Sequence, residues 1–175
     1  SEKTSITRYL IKTFPQLEIT ISAATHSPKK KKKNGVDYHF MSTEAFKEKI
    51  RQNEFVEWEM VYEGKYYGTL KSELENIWKG HRIPILDVDV KGAVHVQQQF
   101  RETSLSLFIQ PPSIEELKKR LESRGTETPE SLAARVNKAS YELTFGKHFD
   151  KTIINDVLDR ACSEAETIVA EFIKR

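Results

Sequence analysis

Asp87 and Asp89 stand near the end of an apolar run, Ile83 to Val90, that reads Ile-Pro-Ile-Leu-Asp-Val-Asp-Val. Carboxylates buried in a strand are costly unless a cation or hydrogen-bond donors meet them. The C-terminal end of such a strand is also where ligands sit in an open parallel sheet. Arg120 and Arg124 lie four residues apart, with Arg135 further along. Like charges at that helical spacing repel unless an anion lies between them, so the arginines suit an anionic group; a solvated helix carrying the pair Glu116–Arg120 is the competing reading. Gly125, directly after Arg124, gives that segment freedom to move. Lys3-Thr4 precedes a helical pattern and could bring a cation and a hydroxyl to phosphate. The same dipeptide equally suits a surface lysine and the start of any helix.

These residues need a frame. Thr4 to Phe14 is a helix stopped near Pro15, and Leu17 to Ser22 alternates like a strand. Lys29 to Lys33 is a basic loop, and Val36 to Met41 a short strand. Ser42 is placed to cap a helix on which Phe46 and Ile50 share a face. Phe55 to Tyr62 alternates again, with a turn at Glu63-Gly64. Leu70, Leu74, Ile77 and Trp78 make a helical stripe that ends at Gly80. Ile83 to Val90, apolar on both faces apart from its aspartates, suits a central parallel strand; Leu105 to Ile109 is another. Ser113 and Glu116 form a capping box, and Thr128-Pro129 opens a further helix. Thr152 to Ile154 is a short strand, and Ala161, Ala165, Ile168, Val169 and Phe172 stripe the last helix. Strands alternating with helices of this length imply a parallel α/β sheet. The β-rich stretch from 35 to 68 breaks that rhythm and reads as an inserted lobe.

The 175 residues suffice for one well-buried domain. A net charge of +2 gives no global field toward nucleic acid or membrane. The basic run Lys29 to Lys33 alone makes a weak nucleic-acid binder. No apolar run approaches the roughly 18 residues that a membrane helix needs. The single cysteine, Cys162, cannot form an internal disulfide, suits a reducing cytoplasm, and is expected to pack in a helix core. His26, His39, His81, His95 and His148 form no i,i+4 pair and have no cysteine companion, so no zinc site is expected.

Five segments in one order resemble the guanylate kinase family over nearly the whole chain from about Lys3. They are Gly35-Val36-Asp37-Tyr38-His39-Phe40, Glu54-Phe55-Val56-Glu57-Trp58, Tyr66-Tyr67-Gly68-Thr69, Ile85 to Gly92, and Arg120 to Thr128. The resemblance implies an α/β, P-loop kinase-like parallel sheet flanked by helices, with residues 1–34 and 69–175 as its core. It also implies a GMP-binding lobe over 35–68 and a mobile lid at about 120–135. It implies an ATP-dependent, Mg2+-dependent phosphoryl transfer to GMP in a cytoplasmic monomer or homodimer with no nucleic-acid or membrane partner. The family opens with a strand and a glycine-rich phosphate loop, and this chain begins inside that loop. Lys3 and Thr4 then match the residues on the ATP phosphates and on Mg2+. Glu2 stands where glycine is expected, where its charge repels phosphate and its Cβ blocks close approach, so weak ATP binding is expected.

By the same resemblance Ser22, His26, Lys29 and Tyr38 hold the GMP phosphate, with Tyr67 beside them. The family's Ser-x-x-x-Arg-x-Pro-Arg reads here Ser22-Ala-Ala-Thr-His26-Ser-Pro-Lys29. Two planar forks become an imidazole and a flexible point charge, at a cost of roughly 1–3 kcal/mol for each lost charged hydrogen bond. Glu57, Thr69 and Asp89 fall on the guanine-reading positions. One carboxylate can accept the adjacent N1–H and exocyclic amine of guanine, and a hydroxyl can donate to O6. Adenine reverses that pattern. By alternation alone, Glu57 shares a face with Glu59 and reads as an outward strand residue, and Tyr67 as an aromatic that packs the lobe. Asp87 is placed near Mg2+ and its waters. Arg120, Arg124 and Arg135 match the arginines that stack on adenine and clamp the transferred group, and Asn155 matches a position near the adenine. The altered phosphate loop, His26 and Lys29 leave an alternative: an impaired relative that binds phosphorylated partner proteins.

Overall fold

The computed structural model describes residues 2–25 and 33–174. In chain order the elements are α1 (Glu2–Thr13), β1 (Leu17–Ile19), β2 (Ala23–Ala24), β3 (His39–Phe40), α2 (Thr43–Arg51), β4 (Phe55–Tyr62), β5 (Lys65–Leu70), α3 (Lys71–Lys79), β6 (Ile83–Ile85), α4 (Val90–Gln99), β7 (Leu107–Gln110), α5 (Ile114–Arg124), α6 (Pro129–Leu143), β8 (Lys151–Ile154) and α7 (Leu158–Ile173). They pack as two compact units: Phe14–Phe100, and Ser1–Thr13 together with Arg101–Arg175.

In the Phe14–Phe100 unit, β1 pairs in parallel with β6, and a four-stranded sheet runs β3-β2-β5-β4. The β4–β5 hairpin turns at Glu63-Gly64, where Gly64 takes φ 80° at no steric cost. Ala23, Phe46 and Phe55 form a hydrophobic core in this unit, with Met41, Ile50, Tyr66 and Leu70 packed on it. The Phe46 and Phe55 rings stack at 4.3 Å. Gly68 opposes Trp58 across the hairpin. A Cβ there would lie 2.8 Å from both the Glu57 carbonyl oxygen and the Phe55 ring, so only glycine lets the strands close over that ring. Ser42 caps α2 as expected, accepting the Ala45 N–H at 3.0 Å.

The strand expected over Ile83 to Val90 stops at Ile85. Asp89 is instead the N-cap of α4, a helix that the apolar run concealed, and its carboxylate accepts the Gly92 N–H at 2.9 Å. The expected strands Leu17 to Ser22 and Val36 to Met41 likewise shorten to β1 and β3. Around β3 the backbone turns at Gly35, whose N–H donates to the Tyr38 carbonyl at 2.7 Å.

In the other unit, α1 packs on α7, burying Ile6 and Leu10 on one helix and Ala161, Ala165 and Val169 on the other. The Tyr9 hydroxyl bonds the Glu166 carboxylate. Cys162 is buried there as expected, and burial, with the charge of Asp159, pushes its thiol pKa up. β7 and β8 form a second parallel pair. α5 ends at Gly125, in the left-handed region at φ 66°, and α6 starts with a reciprocal Thr128/Ser131 capping box and Pro129. At α5 only half of the expected box forms: Ser113 accepts the Glu116 N–H, while the Glu116 carboxylate receives Arg120.

Candidate active site

Glu57 on β4 and Thr69 on β5 are direct cross-strand partners. The hairpin register, rather than a loop, thus sets their distance, and the Thr69 hydroxyl donates to Glu57 Oε1 at 2.8 Å. Thr69 is fully buried at 0% exposure, so its hydroxyl has been taken out of water to meet this carboxylate. Burial holds the Glu57 carboxyl above the ordinary glutamate range; the Thr69 bonds pull it part of the way back, and the charge of Asp89 adds to the rise. The outward reading of Glu57 from its alternation with Glu59 therefore fails: the side chain turns into a protected site.

The first turn of α4 brings Asp89 to the same place. A Cβ on Gly92 would lie 3.0 Å from Glu57 Oε2 and 3.1 Å from Asp89 Oδ1. Two carboxylates thus converge over a helix N-terminus, whose partial positive charge offsets part of their repulsion. Gly92 is the residue that sequence reasoning missed; the signal was Asp89 three positions before it, an N-cap spacing. An acceptor pair beside a buried hydroxyl donor matches a base edge that offers two donors and one acceptor. Asp87, half-buried, lies between β6 and α4.

Ser22 and Tyr38 come together at β2 and β3. The Ser22 carbonyl accepts the His39 N–H at 2.8 Å, and β2 pairs with β3 in parallel. The Tyr38 and Tyr67 rings are neighbours, with centroids 6.0 Å apart. His26, Lys29 and most of the basic run lie outside the described residues.

In the other unit, Lys3 and Thr4 fall in the first turn of α1, where helix N–H groups favour anions. Arg120 reaches from α5 to the end of β8: it donates to the Asn155 carbonyl at 3.0 Å and the Asp156 carbonyl at 2.9 Å, besides pairing with Glu116 at 3.2 Å. Asn155 is 2% exposed, and its side-chain carbonyl oxygen has no hydrogen-bond partner among the described residues. Arg135 pairs with the nearly buried Glu127 at 2.9 Å. Arg124 is the exposed last residue of α5. No described helix is long and apolar enough to cross a membrane.

The chain is similar to known proteins over almost its whole length. The guanylate kinase family profile matches residues 2–172. The chain is 43% identical over 173 residues to a guanylate kinase of Bacteroides fragilis, covering 99% of this chain and 85% of that one. It is 42% identical to a guanylate kinase of Porphyromonas gingivalis, covering 99% and 93%. The crystal structure of guanylate kinase from Anaplasma phagocytophilum superimposes with a TM-score of 0.73 at 25% identity, over 97% of this chain and 81% of that one. With sequence relatives and a solved structure in agreement over almost its whole length, the chain belongs to the guanylate kinase family.

Proposed function

We propose that the chain transfers the γ-phosphoryl group of ATP to GMP, giving ADP and GDP, and that Glu57, Thr69 and Asp89 select the acceptor. The observation that carries this reading is the bond from the buried Thr69 hydroxyl to the half-buried Glu57 carboxylate, beside Asp89. An ionised Glu57 accepts N1–H and the exocyclic amine of guanine, the Thr69 hydroxyl turns to O6, and Asp89 supplies a further acceptor. AMP leaves those groups unpaired, the fully buried Thr69 among them, and an unpaired buried polar group is a strong ground for rejection. Residues 35–68 form the GMP lobe. Ser22, Tyr38 and Tyr67 grip the GMP phosphate through their hydroxyls, and His26 and Lys29 add charge to that grip.

Phosphoryl transfer asks mainly for positioning and for positive charge around the moving group. An oxygen of the GMP phosphate attacks the γ-phosphorus of ATP, the bond to the bridging oxygen breaks, and ADP leaves with that electron pair. Lys3 and the first turn of α1 meet the donor phosphates. Arg120, Arg124 and Arg135, on a lid at about 120–135, neutralise charge on the transferred group, and Asn155 and Arg120 lie against the adenine. Mg2+ arriving with ATP supplies further neutralisation. The hydroxyl of Thr4, in one unit, and the carboxylate of Asp87, in the other, are each a hard oxygen donor of the kind that such an ion would accept, directly or through water. The test is ADP formation from ATP and Mg2+ with GMP and AMP offered in parallel. ADP with GMP alone is expected; equal turnover of AMP, or none of either, contradicts the reading.

A further inference from the structure

Glu73 has no part in the site as drawn above. It lies in the first turn of α3, with a side chain 13% exposed. Its Oε2 accepts the Ile21 N–H at 2.6 Å, and its Oε1 lies 3.3 Å from His39 Nε2. Ile21 is the residue before Ser22, and His39 is the residue after Tyr38. One carboxylate therefore holds the backbone leading into one hydroxyl and the side chain next to the other. The two segments are also joined to each other, through the His39 N–H and the Ser22 carbonyl. Glu73 is anchored in turn: α3 begins at Lys71, directly after the strand that carries Tyr67 and Thr69. A carboxylate this sheltered is retained where donors meet it, and both of its donors belong to the segments that carry Ser22 and Tyr38.

We propose that Glu73 is a positioning residue for the acceptor phosphate. It fixes Ser22 and Tyr38 relative to each other and to β5, so that the phosphate grip stands at a set distance from the guanine-reading Glu57 and Thr69. This rests on the GMP reading above. Glu73 touches no substrate; it acts through the two hydroxyls.

The experiment is steady-state kinetics of E73A and E73Q in the native background, and of E73A added to S22A/Y38F. E73A is expected to raise the KM for GMP about tenfold, the weight of a lost charge-assisted bond, with kcat and the KM for ATP little changed. E73Q should stay within about threefold, because its amide oxygen still accepts the Ile21 N–H and its amine can donate to His39. In the S22A/Y38F background E73A should add less than about threefold, since residues that act through one another are not additive. A tenfold cost in both backgrounds, an equal rise in the KM for ATP, or an E73Q as impaired as E73A overturns the proposal. Should E73A fail to fold, H39F keeps the Ile21 bond and serves instead: an unchanged GMP KM in the native background overturns the proposal, and a rise confined to that background supports it. A native chain that turns over no GMP overturns the GMP reading as well, whereas native turnover with an unaltered E73A overturns this proposal alone.

Discussion

Glu57 carries opposing demands. Its carboxyl is held above the ordinary glutamate range, first by burial. The folded state therefore binds that proton more tightly than the unfolded chain does. Stability from this group is fully present below the ordinary glutamate pKa and is lost as pH rises through the raised value. GMP binding runs the other way, because only the ionised carboxylate accepts both guanine donors. E57Q should accordingly melt at the same temperature as the native chain or higher at neutral pH. It should also lack the acid limb of the GMP KM profile; a marked drop in melting temperature would contradict the burial argument. Gly92 gives a second separation. Alanine would gain up to about 1 kcal/mol of helix propensity, yet its Cβ would press on Glu57 Oε2 from 3.0 Å. G92A should raise the KM for GMP about tenfold, the cost of one displaced charged hydrogen bond, without loss of melting temperature. These roles were unevenly legible. Glu57, Thr69 and Asp89 could be named only through the resemblance to guanylate kinases, and their convergence depends on the β4–β5 register and on a helix start at Asp89. Alternation alone sent Glu57 outward, because period-two patterns record which face a residue occupies and not whether that face is covered.

Helix caps and hairpins were the elements most readily read. Ser42, Ser113 and Thr128 cap the helices they were expected to cap, and β4 spans Phe55–Tyr62 as its alternation implied. Local hydrogen bonding decides such features. Strand ends were not legible: Ile83 to Val90 is apolar apart from Asp87 and Asp89, and the bonds that Asp89 accepts from Gly92 and Ala93 show that a helix has begun. The left-handed Gly125 ends α5. G125A should cost about 1–2 kcal/mol, from the Cβ clash at positive φ, and lower the melting temperature by about 2–4 °C for each kcal/mol in a chain of this size. An unchanged melting temperature would mean that the turn relaxes away from that conformation.

The chain divides into two units, Phe14–Phe100 and Ser1–Thr13 with Arg101–Arg175, and the proposed roles divide with them. The guanine-reading and phosphate-gripping residues fall in the first; Lys3, Thr4, the lid arginines and Asn155 fall in the second. GMP alone should therefore slow amide hydrogen exchange chiefly within Phe14–Phe100, around Ser22, Tyr38 and Thr69. Protection confined to the other unit would mean that the acceptor site is misassigned. The α/β alternation was legible in the sequence; that β1–β6 and β7–β8 pair within separate units was not, because strand partners are set by long-range packing.

Guanine recognition by the half-buried Glu57 carboxylate is tested most directly with IMP, which keeps N1–H and O6 but lacks the exocyclic amine. The measurement is kcat/KM for GMP and for IMP with the native chain and with E57Q. The native chain should favour GMP by about 100-fold, the weight of a buried acceptor left unpaired, and E57Q should bring the two substrates to within about tenfold of each other. A GMP-to-IMP ratio that is the same in both proteins would contradict the assignment of Glu57 as the residue that recognises guanine.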